Sequence, residues 1–212
     1  ADLVRPEDEI LRVMPAIQRL NYHNIDISLD TRNSATMELG ILSGVKIIND
    51  VSALQNDKKS INVVKKNKVP IVIMHMPGTP KTMMKKVKSY GDVVLDVYDF
   101  LQKRIKELIM LGIEKKNIIV DPGIGFGKDL KQNLTLIKNL SIFHSLGVPL
   151  MLGVSRKRFI ESLSKESKPK NRVGGTISAT LLALGQGIRI HRVHDVHDVY
   201  QASVVFEKLM NR

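Results

Sequence analysis

Three short segments carry most of the residues able to do chemistry. In DPGIGFGKDLKQN, Asp121 to Asn133, an acid stands directly before Pro122 and three alternate glycines, Gly123, Gly125 and Gly127. Proline stiffens the turn, and small residues let a planar ligand approach the backbone closely. A buried carboxylate there could accept two parallel N–H bonds from an amidine-like heterocycle edge. The glycine spacing matches neither the dinucleotide fingerprint nor the P-loop; a helix-capping Asp before a glycine-rich turn is the structural alternative.

In LGVSRKRF, Leu152 to Phe159, a hydroxyl (Ser155) and two cations (Arg156, Lys157) follow an apolar run. A lysine partly buried against a flat ligand donates to a carbonyl oxygen or an anion. A helix starting here would also aim N–H groups at an anion. A serine N-cap with solvated basic neighbours is the alternative.

In IRIHRVHDV, Ile188 to Val196, an extended backbone puts Arg192 and His194 on one side and His191 on the other. Arginine offers a planar fork to phosphate oxygens, so Arg192 with His194 forms a plausible diphosphate clamp. Asp195 is expected to orient an imidazole or cap the last helix. The spacing of His191, His194 and His197 fits no zinc pattern.

These segments need elements to hold them. Short β-branched runs alternate with longer helical patterns, which predicts βα units and a parallel sheet. Strands are expected at 25–30, 45–49, 71–75, 118–121, 150–154 and 188–193. Helices are expected at 7–20, 35–42, 59–66, 92–111, 134–146, 175–184 and 196–210, with Gly112, Gly147 and Gly187 as C-caps. Asp30, Asn49, His75, Asp121, Ser155 and His194 each fall at or just past the end of an expected strand. In a closed parallel barrel that rim carries the active site. MPGTPKTMMKKVKSYGD, too long for a tight βα turn, and the polar, lysine-rich SLSKESKPKNRVGG read as candidate mobile covers, with disordered surface insertions as the alternative. Met74 and Met76, in IVIMHM, are the types that usually fill cores.

Composition narrows the class. A length of 212 residues suits one core and shows no break between domains. There is no apolar run of spanning length and no signal-like start, so no membrane partner is expected. The absence of cysteine excludes disulfides and thiolate chemistry and fits a reducing cytoplasm. A net charge of +12 invites polyanions, yet aromatics make up only 4% with no tryptophan, so no nucleic acid is expected.

The ordered motifs together (the DT of SLDTR, the ND of INDVSAL, MHM with its MPGTPKTM loop, DPGIGFGK, SRK and RVHDV) resemble the dihydropteroate synthases, pterin-binding barrel enzymes of folate synthesis. That resemblance implies a (β/α)8 TIM barrel with about six of its eight βα units in this chain, residues 1–212 forming one barrel domain. It implies condensation of 6-hydroxymethyl-7,8-dihydropterin diphosphate with 4-aminobenzoate, in the cytoplasm, by a homodimer. Asp30, Asn49, Asp121 and Lys157 would bond the pterin, with Asp30, Asp121 and Lys157 catalytic. Met74, Phe126 and Gly153 would pack near its ring, and Ser155 would sit by 4-aminobenzoate. Arg192 and His194 would hold the diphosphate together with Mg²⁺. The family's metal-contacting Asn and its Glu-Ser-Thr-Arg-Pro-Gly strand end are not found here, so two βα units, about 60 residues, are expected to precede Ala1. His191, where the family is usually apolar, reads as a core or helix-facing histidine. A pterin-binding methyltransferase barrel and a non-catalytic pterin-binding homologue are the alternatives; the first would have no diphosphate for SRK and RVHDV to hold.

Overall fold

A computed structural model describes residues 4–79, 81–84 and 90–210. Strands and helices alternate as expected: α1 (Pro6–Tyr22), β1 (Ser28–Asp30), α2 (Ser34–Leu42), β2 (Ile47–Asp50), α3 (Ser60–Asn67), β3 (Ile71–Met74) and α4 (Val93–Met110). They continue with β4 (Ile118–Asp121), α5 (Leu130–Lys138), β5 (Met151–Leu152), α6 (Arg158–Ser164), α7 (Val173–Gly185), β6 (Ile190–His191) and α8 (Val196–Met210). Strands β1 to β4 form one parallel sheet in chain order, β5 pairs with β6, and a parallel bridge from Val120 to Leu150 links the two groups. Parallel neighbours in chain order need a crossover helix between them, and repeating that step winds the sheet towards a barrel.

The apolar side chains sit where this winding buries them. Ile48, Ile71, Ile73, Ile118, Val120 and Leu152 are fully buried along the strands. Helix α4 opens on Asp92, whose carboxylate accepts from the Val94 and Leu95 amides, and it buries Val97, Leu101, Ile105 and Leu108. Helix α5 opens on a reciprocal capping box between Asp129 and Gln132. All three expected C-cap glycines have positive φ, 92° at Gly112, 68° at Gly147 and 86° at Gly187. Among the described residues no helix is long and apolar enough to cross a membrane.

Three expectations change. The strands are shorter than their apolar runs, because a ladder lasts only as long as its partner stays in register. The helix expected at 134–146 starts four residues earlier, at the Asp129 cap, and gives way after Lys138 to a 3-10 turn over Leu140–Leu146. Helix α6 is absent from the expected helices, although a helix starting in LGVSRKRF is one reading there and Ser162 onward is expected as loop. Its seven residues hold too few apolar positions to show a period. It forms because Phe159 and Ile160 are buried, and α7 crosses it closely; a β-carbon on Gly175 would stand 2.4 Å from Ile160 Cγ2.

The segment that follows α6, expected as a mobile cover, is tied down. Arg172 is 4% exposed, and its guanidinium donates to the carbonyls of Glu166, Arg156 and Ser167 and to the Glu161 carboxylate, at 2.6–3.0 Å. In the other expected cover, Thr79 bonds Thr82, while Pro80 and residues 85–89, including the Lys85–Lys86 pair, lie outside the described residues. Replacing Arg172 by Ala strands three carbonyls and one carboxylate. The expected loss of unfolding free energy is about 3 kcal/mol, read from urea denaturation with the slope unchanged.

Candidate active site

The strand ends converge on a cavity of about 180 Å³. Asp30 and Asn49 reach it from neighbouring positions of β1 and β2, and Met74 and Asp121 from neighbouring positions of β3 and β4. The turn after β5 adds Gly153, Ser155 and Lys157, the end of β6 adds Arg192 and His194, and the glycine loop adds Phe126. The ten residues singled out in the sequence therefore share one cavity. Val51 and Met151 line it too, and nothing in the sequence separates them from ordinary core residues.

Alternation along the strand explains the selection. On β2 Asn49 faces the cavity, whereas Asp50 turns away and accepts from the Ser52 and Leu54 amides. That bracing supports a tight turn in which Ala53 and Leu54 both have positive φ. The buried Arg104 of α4 donates to their two carbonyls from outside.

The floor is built of charges that burial works against. Asp121 is 6% exposed, and its Oδ1 accepts from the Gly123 amide at 2.7 Å, leaving Oδ2 towards Gly153 and the cavity. Burial pushes the carboxyl pKa values of both Asp121 and Asp30 above the usual range; nearby Lys157 opposes the shift in each, and Arg192 does so at Asp30. Burial pushes the Lys157 ammonium down, opposed chiefly by Asp121. The Lys157 Nζ stands 4.0 Å from the centre of the Phe126 ring, a cation–π contact. Two acids, one cation and an aromatic face thus crowd around a space the size of a flat ring system.

The rim carries a directed chain of donors. Arg192 Nη1 lies 3.0 Å from His194 Nε2. A guanidinium can only donate, so Nε2 accepts and the imidazole proton is on Nδ1. Nδ1–H then donates to Ser155 Oγ at 2.9 Å, and the His194 amide donates to the same oxygen at 3.1 Å. With both its lone pairs engaged, Ser155 offers its own O–H. Burial and the cations Arg192 and Arg156 hold the His194 pKa below its ordinary value, which favours the uncharged ring.

Other expectations at the rim are corrected. Asp195 does not orient the imidazole: it pairs bidentately with Arg156 at 2.5 and 3.0 Å, latching the β5 turn to the end of β6. Arg156 is therefore turned aside and only Lys157 of the two cations lines the cavity. His75, also at a strand end, packs against Phe100 and Tyr90, and its Nδ1 meets Lys128 Nζ. The next residue along a strand faces the other way, so His75 turns from the cavity that Met74 lines. His191 is half-buried and its Nε2 bonds the Ile188 carbonyl. Sequence reasoning missed Lys128 and Asn133, which hold the glycine loop. Their place at the end of DPGIGFGKDLKQN was the available signal.

The comparisons agree with one another. Residues 1–194 match the model of the family described as pterin binding enzyme. A dihydropteroate synthase of Neisseria meningitidis serogroup B is 42% identical over 214 residues, covering 99% of this chain and 74% of that protein. The solved dihydropteroate synthase of Xanthomonas albilineans in complex with 7,8-dihydropteroate superposes with a TM-score of 0.92 at 37% identity, covering 99% of this chain and 76% of that one. The same enzyme solved with 4-aminobenzoic acid gives 0.93 at 38% identity, covering 100% of this chain and 75% of that one. The six strands are thus those of a TIM barrel, and the chain belongs to the pterin-binding enzyme family and, within it, to the dihydropteroate synthases.

Proposed function

We propose that this cavity joins 6-hydroxymethyl-7,8-dihydropterin diphosphate to 4-aminobenzoate, giving 7,8-dihydropteroate and diphosphate. The observation that carries the reading is the grouping within one cavity: Asp30, Asp121 and Lys157 at the floor, and the Arg192 guanidinium with the His194 imidazole at the rim. The pterin ring lies on the floor. Asp121 and Asp30 accept from its N–H groups, Asn49 bonds its edge, and Lys157 donates to its carbonyl oxygen. Met74, Phe126 and Gly153 form the walls.

Breaking the C–O bond to diphosphate leaves positive charge on the pterin methylene and negative charge on the departing group. Asp30 and Asp121 stabilise the first from a low-dielectric pocket. Arg192 stabilises the second with its remaining guanidinium N–H groups, and His194 holds that guanidinium in place through Nε2. The amine of 4-aminobenzoate, placed beside the Ser155 hydroxyl, forms the new C–N bond and releases one proton.

Among the described residues no three His, Cys, Asp or Glu side chains converge, so this reading has Mg²⁺ held mainly by diphosphate oxygens and water. Mg²⁺ belongs to the proposal only as a counter-ion of the diphosphate itself. A cytoplasmic homodimer completes the reading. The lack of cysteine supports the compartment, and the exposed Leu182, Tyr200, Val205 and Leu209 on α7 and α8 support the pairing.

The direct test, made on the whole encoded protein, is an assay of diphosphate release and dihydropteroate formation from the two substrates; no product would end the reading. Arg192→Ala and His194→Ala should each weaken the pterin diphosphate by about 1.5–3 kcal/mol and leave 4-aminobenzoate nearly unchanged, as measured by calorimetry with each ligand. Equal weakening of both would assign these residues to the folding of the strand end.

Asp121→Asn should cut turnover by about a hundredfold or more. Its effect on stability has the opposite sign. A carboxyl whose pKa is raised in the folded state stabilises the fold while protonated and loses that contribution as pH rises through its folded value. The amide cannot ionise, so the ligand-free variant should melt higher than wild type at neutral pH. The gap should close below about pH 4, where both chains are uncharged at this position. Thermal scans across that range check it.

A further inference from the structure

Lys128 sits just before α5 and does not line the cavity, yet it is 4% exposed and no carboxylate among the described residues bonds it. Its Nζ lies 2.9 Å from the Gly123 carbonyl, 3.1 Å from the Phe126 carbonyl and 3.0 Å from His75 Nδ1, with the His75 carbonyl further off at 3.5 Å. An ammonium has three N–H bonds, and these three close acceptors use them all. Two belong to the glycine loop and the third to the end of β3. The side chain is a staple between the loop and the sheet.

The glycine loop allows that closeness. A β-carbon on Gly123 would stand 2.0 Å from the His75 carbonyl, so no side chain fits between the two backbones. Asn133 holds the same loop from behind, accepting from the Gly125 amide at 2.7 Å and donating to the Lys128 carbonyl at 3.1 Å. What hangs on the loop is the pterin half of the site. The Gly123 amide bonds Asp121, and Phe126 presents its ring to Lys157.

We propose that Lys128 is a positioning residue for the pterin substrate: it pins the glycine loop to the end of β3 and thereby sets where Phe126, Lys157 and Asp121 stand. The proposal rests on the functional reading above. Burial favours the hydrogen-bond pattern it requires. The His75 pKa is pushed down to about 3, first by burial and then by Lys128, so its imidazole is neutral and can accept. Lys128 is itself lowered to about 7, by burial first and Lys157 next, with Asp121 opposing. Even as a neutral amine it keeps two N–H bonds, enough for the two loop carbonyls.

The test is steady-state kinetics of Lys128→Met, with the two substrates varied independently, beside calorimetry of a pterin alone and thermal unfolding. Methionine fills a similar volume without donors. The expected result is a KM for pterin diphosphate raised about tenfold, a similar loss of pterin affinity, and a KM for 4-aminobenzoate within about twofold of wild type. Where Lys128→Met does not fold, Lys128→Gln, which keeps two donors, should show the same split to a smaller degree. Both constants unchanged, or both raised together, would overturn the proposal. So would failure of both variants to fold, which would assign Lys128 to the stability of the barrel. Wild-type protein that makes no product sinks the functional reading, and this proposal with it; active wild type without the split sinks the proposal alone.

Discussion

Every strand of this chain runs in the same direction beside its neighbour in sequence, and the rest of the molecule follows from that. A parallel ladder in chain order sends each connection back across the outside of the sheet, where α2 to α7 lie between successive strands. It also brings all the strand C-terminal ends to one rim. Side chains far apart in the chain, Asp30 and His194 at the extremes, become walls of one small cavity. Nothing local to either residue specifies that meeting.

The convergence has an electrostatic cost that the loops offset. Placing Asp30, Asp121 and Lys157 together in a cavity partly withdrawn from water raises the acids and lowers the amine, as each resists its charged form. The charges of opposite sign oppose these shifts, and backbone amides help where they reach. Gly123 serves Asp121 in this way, and the glycine loop that supplies it is fastened by two buried polar side chains, Lys128 and Asn133. The neighbouring turn is fastened differently, by the Arg156–Asp195 pair and by Ser155 with His194. The glycine loop is held by side chains that reach backbone groups, and the rim turn chiefly by side-chain pairs, so the two rest on separate supports.

Much of the fold was legible in the residues. Helix α4 announces itself through Asp92 and the apolar spacing behind it, and the C-cap glycines mark where helices give way to strands. The alternation of strand and helix, with polar residues at the strand ends, points to a barrel rim. Helix α6 was not legible because seven residues with two buried positions carry no measurable period. The break after Lys138 was hidden for a related reason: an apolar pattern does not distinguish an α-turn from a 3-10 turn.

Ten of the twelve residues that line the cavity were named from their types and positions and from a family likeness; the residues themselves say only that most are polar, aromatic or small and fall at or near successive strand ends. Which way each points was decided only by the tertiary structure. His75 and Asp195 show the difference. Both stand beside cavity residues, and both turn away, one into an aromatic cluster beside Lys128 and the other onto Arg156. A strand end sets side chains on alternating faces, and the partner that captures each one comes from another part of the chain. Sequence order records neither the register nor the partner. The same holds for Lys128, which in the sequence is one of many lysines and in the fold is a buried cation bridging a loop and a strand end.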